Sequence, residues 1–232
     1  MTDDRKSGIA LIAGSLGGIF TMAIHPTAGT SLSPGLAAHL ASVSAIAHSI
    51  AMVSILVLFL GTCGLTRRLT TFTGTPNPDR LAFSGVVTFG FACVAILIAA
   101  TVSGFIVPTI LRHMVRDGAA TVPQYQLIVD AIFQFNQAFA RIYSVAASAA
   151  IALWSVSALR NGGIARGIAL YGCVVAALLA AGIAVGHLRL DVHGMAVVVL
   201  GHAIWFTLAG GQLCRRQSQP AGVRFSATMP LE

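Results

Sequence analysis

Residues 48–68 read HSIAMVSILVLFLGTCGLTRR: no formal charge stands between His48 and the Arg67-Arg68 pair. From His48 to Arg67 is 19 residues, about 28 Å of α-helix at 1.5 Å per residue, close to the ~30 Å thickness of a bilayer's hydrocarbon layer. A buried core helix of a soluble protein has no use for so long an uninterrupted apolar run. The rest of the chain repeats the pattern. Of 232 residues, 56% are hydrophobic and 9% charged, with a mean hydropathy of +0.84, whereas soluble domains carry about 25% charged residues. The reading is an all-α integral membrane protein, a bundle of about six transmembrane helices with both termini in the cytoplasm.

The spans fall near residues 8–24, 37–64, 82–110, 127–158, 164–186 and 193–213, leaving 1–7 as a cytoplasmic N-terminus and 214–232 as a cytoplasmic tail. Local chemistry marks the breaks. Ser33-Pro34 and Asn77-Pro78 each offer a capping side chain followed by a proline at a position whose N–H has no helical partner. Pro123 opens span four and Asp191 caps span six. Asn161-Gly162-Gly163 closes span four with residues that tolerate left-handed backbone angles. Spans three and four are long enough to be divided. Orientation follows the basic residues: Lys6 and Arg5, Arg67, Arg68, Arg80, Arg160, Arg166, Arg215, Arg216 and Arg224 lie on one side, against Arg112, Arg116 and Arg189 on the other. That bias puts the protein in the inner (cell) membrane with both ends inside. It also explains the net charge of +7 without nucleic acid, since no basic cluster with interleaved aromatics exists. The bilayer is the expected partner, with a homo-oligomer or a second membrane subunit as further possibilities. Gly14-x-x-x-Gly18 reads as a close helix contact within the bundle or, alternatively, as a dimer seam.

Topology sorts the reactive side chains by depth. Cys63, Cys93, Cys173 and Cys214 fall toward the cytoplasm without CxxC spacing, so neither a disulfide frame nor a thiolate metal site is implied. The histidines lie toward the outside. His25, His48 and His193 come out near one level and His202 deeper, so together they form a candidate metal site, with Met52 and Met195 as possible thioether ligands. Imidazole and thioether suit copper, imidazole also zinc or haem iron. His39 and His48, and His193 and His202, are nine residues apart, about 900° of helical turn. Members of each pair therefore face opposite ways, which disfavours two stacked haems but leaves a single b-type haem open.

Span four carries a polar stripe. Asp130, Gln134, Gln137, Arg141, Ser144, Ser148 and Ser155 lie within about 80° of one another at 100° per residue. Such a stripe should face other helices or a hydrated cavity, which makes Gln134, Gln137, Arg141, Ser144 and Ser148 candidate cavity-lining or ligand-binding residues. Arg141 has no acidic partner at its depth in another span, which leaves backbone, a water-filled vestibule or an anionic ligand beside it, and an anionic group is the expectation. Three functions fit: an outward-facing intramembrane site for a transition metal or haem, a small-solute or anion transporter or channel lined by the stripe, or a structural or accessory subunit with no active site. No HExxH or Gly-x-Ser-x-Gly motif points to a particular enzyme.

Overall fold

A computed structural model describes residues 2–25, 34–72, 79–118 and 122–215. These form seven α-helices: α1 (Asp3–Ile24), α2 (Pro34–Phe72), α3 (Arg80–Thr101), α4 (Val107–Asp117), α5 (Val122–Asn161), α6 (Arg166–Ala184) and α7 (Val192–Arg215). A π-helical turn, Val102–Ile106, joins α3 to α4 in one continuous rod. Six stretches are long and apolar enough to cross a membrane: Asp3–Ile24, His39–Thr71, Arg80–Asp117, Gln124–Asn161, Arg166–Ala184 and Val192–Arg215. Each overlaps one of the six stretches expected from sequence. The third run is interrupted without being divided, and the fourth is unbroken.

The helix ends follow the local chemistry where they are described. Asp191 caps α7 through Gly194 N–H to Oδ1 at 2.9 Å. Gly162 and Gly163 take φ of +85° and +92° just past α5, the left-handed exit that glycine permits. Ser33, Asn77 and Pro78 lie outside the described residues, and the side chain that caps α3 is Asp79, which accepts from Leu81 N–H at 2.9 Å. The π turn has a cause in sequence. Pro108 has no N–H, and its ring would crowd the carbonyl four residues back in a regular helix. The wider turn takes up that conflict.

The helices group into two layers. α1 packs along both α2 and α7, α5 packs along both α3 and α6, and α2 meets α3 across the seam. Both ends of the described chain lie at one pole, termed proximal. Within the first layer glycines set the spacing: a Cβ on Gly14 would come within 2.7 Å of Leu58 N, and one on Gly61 within 2.8 Å of Leu11 N. Gly14 is therefore a contact inside the bundle.

In the proximal half the layers are joined by aromatics. Trp154 of α5 stacks on Trp205 of α7 (centroids 5.9 Å, 10° between planes), and Phe89 of α3 and Phe206 of α7 close round them. The Trp154 Nε1–H reaches Thr66 Oγ1 at 3.0 Å and the Ala82 carbonyl at 3.1 Å, tying α5 to α2 and α3. At the proximal surface Arg67 pairs with Asp3 (2.9 Å) and Asp4 (3.5 Å), stapling α2 to α1.

Asp79 does more than cap. Its second oxygen accepts from Ser157 Oγ and from Asn161 Nδ2 (2.8 Å), fastening α3 to the end of α5. Asp79→Ala removes the cap and leaves the fully buried Ser157 unpaired, an expected loss of about 2 kcal/mol. Asp79→Asn, which keeps an acceptor for the cap, should lose less. Thermal unfolding in detergent distinguishes the two, and equal midpoints for wild type and Asp79→Ala would refute the assignment.

Candidate functional site

The two layers separate in the half away from the termini. The gap is a cavity of about 540 Å³, more than three times the ~150 Å³ of an engineered apolar cavity that takes up benzene. Its walls come from every helix except α6. Glycines and small residues of α1 form one side, and Leu40, Ala41, Ala51 and Ile55 of α2 a second. Ile96, Ala99 and Ala100 of α3 continue round to Val129, Ile132 and Phe133 of α5. Leu58, Tyr143 and Phe206 lie toward the proximal aromatic cluster. The surface is overwhelmingly hydrocarbon, so its few polar groups carry the chemistry.

Two of them are imidazoles in contact. His25, at the end of α1, and His48, mid-way along α2, meet edge to face with ring centres 5.0 Å apart. His48 Nδ1 lies 2.8 Å from the Ser44 carbonyl. A carbonyl only accepts, so Nδ1 holds the proton and Nε2 of the neutral ring is an acceptor. The Ser44 hydroxyl donates to the Ser103 carbonyl at 3.0 Å, inside the π turn. Gly104 of the same turn packs on the His48 ring, where a Cβ would fall 3.0 Å from Cγ. Proline, π turn and glycine thus seat one histidine.

The third imidazole, His202 of α7, is 2% exposed. Its Nε2 lies 3.0 Å from Ser148 Oγ, and its ring stands edge-on to Tyr143 at 6.3 Å. Among the described residues neither His202 Nδ1 nor Asn136 Oδ1 on the α5 wall, both buried, meets a hydrogen-bond partner. Gln137 and Asp191 also line the cavity, as do Met22 and Met195.

The candidates named from sequence separate cleanly. His25, His48, His202, Met195 and Gln137 reach the cavity. His193 does not: it is exposed, half a helical turn from the cavity-facing residues of α7, as its nine-residue distance from His202 requires. His39, likewise nine residues from His48, is exposed too. Met52 is half-buried and off the lining. The α5 stripe divides. Ser144, Ser148 and Ser155 are buried against neighbouring helices, with Ser144 Oγ donating to the Ala140 carbonyl at 2.8 Å and resting 3.9 Å from Met195 Sδ. Gln134 and Arg141, on the same face further along, are exposed. The expectation that Arg141 lines a cavity is corrected. Gln134 and Arg141 stand at one edge of the stripe and Gln137 and Ser144 at the other, so the first pair comes out exposed while Gln137 reaches the cavity and Ser144 is buried.

Sequence reasoning missed Asn136 and Tyr143. They sit seven residues apart on one face of α5 with Ala140 between them, a spacing that marks a common wall but not what the wall encloses.

Among the described residues no group of three or more His, Cys, Asp or Glu side chains is arranged to hold a metal ion. Haem fits poorly. Axial ligation sets two imidazoles on opposite faces of one iron with ring centres about 6 Å apart, given metal–nitrogen bonds of about 2 Å, and the His25–His48 rings are closer and edge to face. No protein-family model, curated protein or solved structure matches this chain.

Proposed function

We propose that this chain is a multi-pass membrane protein that holds one lipophilic small molecule in its cavity, with His25, His48 and His202 as the polar grips. Insertion is supported by the exterior: Leu127, Phe91, Leu178 and Leu60 are each more than 65% exposed on helices of spanning length, a surface suited to lipid. The excess of arginine at the proximal pole argues for cytoplasmic termini. The cavity then opens toward the outer leaflet, and Arg141 extends its guanidinium along the outside of α5 toward the headgroups.

The cavity carries the proposal. A half-open recess of about 540 Å³ lies in the size range of pockets that hold a small organic molecule. Water is a poor filler of so apolar a space. An organic occupant satisfies the walls, and the three imidazoles give it orientation. Transport of a polar solute or anion along the stripe is disfavoured, because Arg141 and Gln134 face away from the cavity.

A second reading rests on the 5.0 Å approach of His25 and His48, with Met22 on the same wall. Two imidazoles and a thioether are a soft set suited to Cu(I), while zinc would lack its usual fourth ligand.

Mild-detergent purification followed by organic extraction with mass spectrometry, and metal analysis of the same sample, separates these. One lipophile retained per chain, with substoichiometric metal, is the expected result. Stoichiometric copper that disappears in His25→Ala would favour the second reading. Extracts indistinguishable from bulk lipid, with no metal, would end both.

A further inference from the structure

The six spanning stretches differ in length. α1, α6 and α7 contain 22, 19 and 24 residues, about 28–36 Å of helix, enough for the hydrocarbon layer and little more. α2 and α5 contain 39 and 40 residues and the α3–α4 rod 38, about 57–60 Å. Even at about 40° of tilt, the upper end of the usual range, such rods rise about 44 Å. Their proximal ends are level. Arg67 of α2 pairs with Asp3 of α1, Asp79 at the head of α3 with Asn161 at the end of α5, and Ala165 before α6 with Gln212 near the end of α7. Trp154 of α5 bonds Thr66 of α2, and Gly8 of α1 lies against Gly210 of α7. The surplus therefore stands at the distal pole, where α2, α4 and α5 project past the other three. Arg112, Arg116, Gln124 and Gln126 are exposed there beside Leu127, a mixed surface suited to headgroups and water.

The cavity runs along these rods. Leu58 and Phe206 at its floor stand nine residues from Arg67 and Arg215, about 14 Å up. Leu40, Leu111 and Val129 at its other end stand 27 to 31 residues from Arg67, Arg80 and Arg160, about 40–46 Å up. A compact space of 540 Å³ would be only about 10 Å across, so this one is a long slot. Polar side chains gather at one level of it. His25, Ser44, Ser103, Asn136, Gln137 and Asp191 stand 22 to 24 residues from Asp3, Arg67, Arg80, Arg160 or Arg215 on their own rods, about 33–36 Å up. They form a girdle at the outer edge of the ~30 Å hydrocarbon layer. Lower down, Ser15 and Thr21 donate to carbonyls of α1, and His202 contacts Ser148. Above the girdle, Leu40, Ala41, Pro108, Leu111, Val129 and Ile132 make an apolar chamber inside the projecting helices. A lipid in its ordinary pose, head at the surface and chains inward, would use the lower part alone. The chamber is lined by hydrocarbon yet stands outside the hydrocarbon layer.

Charge narrows the occupant further. Among the described residues no Lys or Arg lines the slot, so a carboxylate or phosphate would be buried there without a countercharge, which is strongly unfavourable. Asp191, the one acid on the wall, is exposed and already accepts the Gly194 N–H.

We infer that the occupant is an uncharged lipid with hydrocarbon on both sides of a polar linkage, a long-chain ester being the simplest case, and that it lies across the outer membrane boundary with its linkage at the girdle and one arm in the projecting chamber. The inference rests on the reading of the cavity as a lipophile site. It gives that site a use, the sheltering of an arm withdrawn from the outer leaflet.

The test uses the full chain in lipid nanodiscs and two photoreactive probes, fatty-acid alkyl esters with a diazirine at the end of either the acyl or the alkyl arm. After irradiation, mass spectrometry of the digested protein locates the inserted carbene. The two probes should label opposite sides of the girdle, one near Leu40, Leu111 or Ile132 and the other near Leu58 or Phe206. Unlabelled ester should compete both away. Ile132→Trp, which fills part of the chamber, should lower the ratio of upper to lower labelling about tenfold. Where Ile132→Trp does not fold, the wild-type map decides. The free fatty acid carrying the same diazirine should label about tenfold less, and equal labelling by it would overturn the assignment of an uncharged occupant. Labelling by both probes on one side of the girdle alone would overturn the inference and leave the lipophile site standing. No competable labelling by either probe would overturn both.

Discussion

Gly14→Ala should lower the unfolding midpoint of the detergent-solubilised protein by about 10 °C, whereas Gly18→Ala, one helical turn away, should leave it unchanged or raise it slightly. The difference lies in what each new methyl would meet. At Gly14 it comes within 2.7–2.8 Å of the backbone nitrogen and Cα of Leu58, and at Gly18 it meets only a Val199 methyl at 3.6 Å, ordinary contact. A flexible side chain could move aside, but helix backbone cannot, so α1 and α2 must part along their length. Overpacking of this kind costs about 3 kcal/mol, and each kcal/mol moves the midpoint of a domain this size by about 2–4 °C. At Gly18 the substitution gains up to about 1 kcal/mol of helix propensity. Shortening Leu58 should not rescue Gly14→Ala, because the obstruction is main chain. Gly61→Ala tests the same interface from the other side, where the new methyl would lie 2.8 Å from Leu11 N. Equal midpoints for Gly14→Ala and Gly18→Ala would show that this packing is wrong.

Gly14-x-x-x-Gly18 illustrates how much the sequence could disclose. The motif announces a close helix contact, but only the assembled bundle reveals that one glycine bears it and the other does not. The histidines were more legible. A nine-residue spacing is two and a half helical turns, so if His202 and His48 face inward then His193 and His39 face out, and they do. Asp191 and the Asn161-Gly162-Gly163 exit were legible for the same reason: they are settled by the backbone within a few residues. Arg141 was not. Periodicity placed it on one stripe with Ser144 and Ser148, and that is correct. Within the stripe Arg141 stands with Gln134 at one edge and Gln137 with Ser144 at the other, and which edge meets the cavity depends on how α5 is set against its neighbours, which no helical wheel contains. The cavity was hidden for a related reason, since it is made by the divergence of two layers and leaves little imprint on any single helix. The π turn falls between these cases: Pro108 signals a fault in the helix, while its use as the seat of His48 depends on Ser44 and Gly104 arriving from different helices.

The cavity also supplies the sharpest separation of function from fold. Ala51 of α2 and Ala99 of α3 both line it, and neither side chain makes a polar contact that would be lost on substitution. Ala51→Phe with Ala99→Phe directs two rings into the space. The pair should reduce the lipophile recovered with the protein at least tenfold, because a pre-formed pocket that must expel its own side chains loses most of its affinity. Stability should hold or rise, since the rings replace an occupant the cavity otherwise needs. Arg141→Leu is the complementary variant. Its side chain points away from the cavity, so lipophile recovery should match the wild type, although it replaces an intramembrane charge that sequence alone marks as a site. Mass spectrometric quantification per chain, set beside the unfolding midpoint, reads both variants in one experiment. If the double phenylalanine variant retains its lipophile while Arg141→Leu loses it, the molecule is held on the outer surface of α5, and the cavity must be assigned to packing rather than to binding.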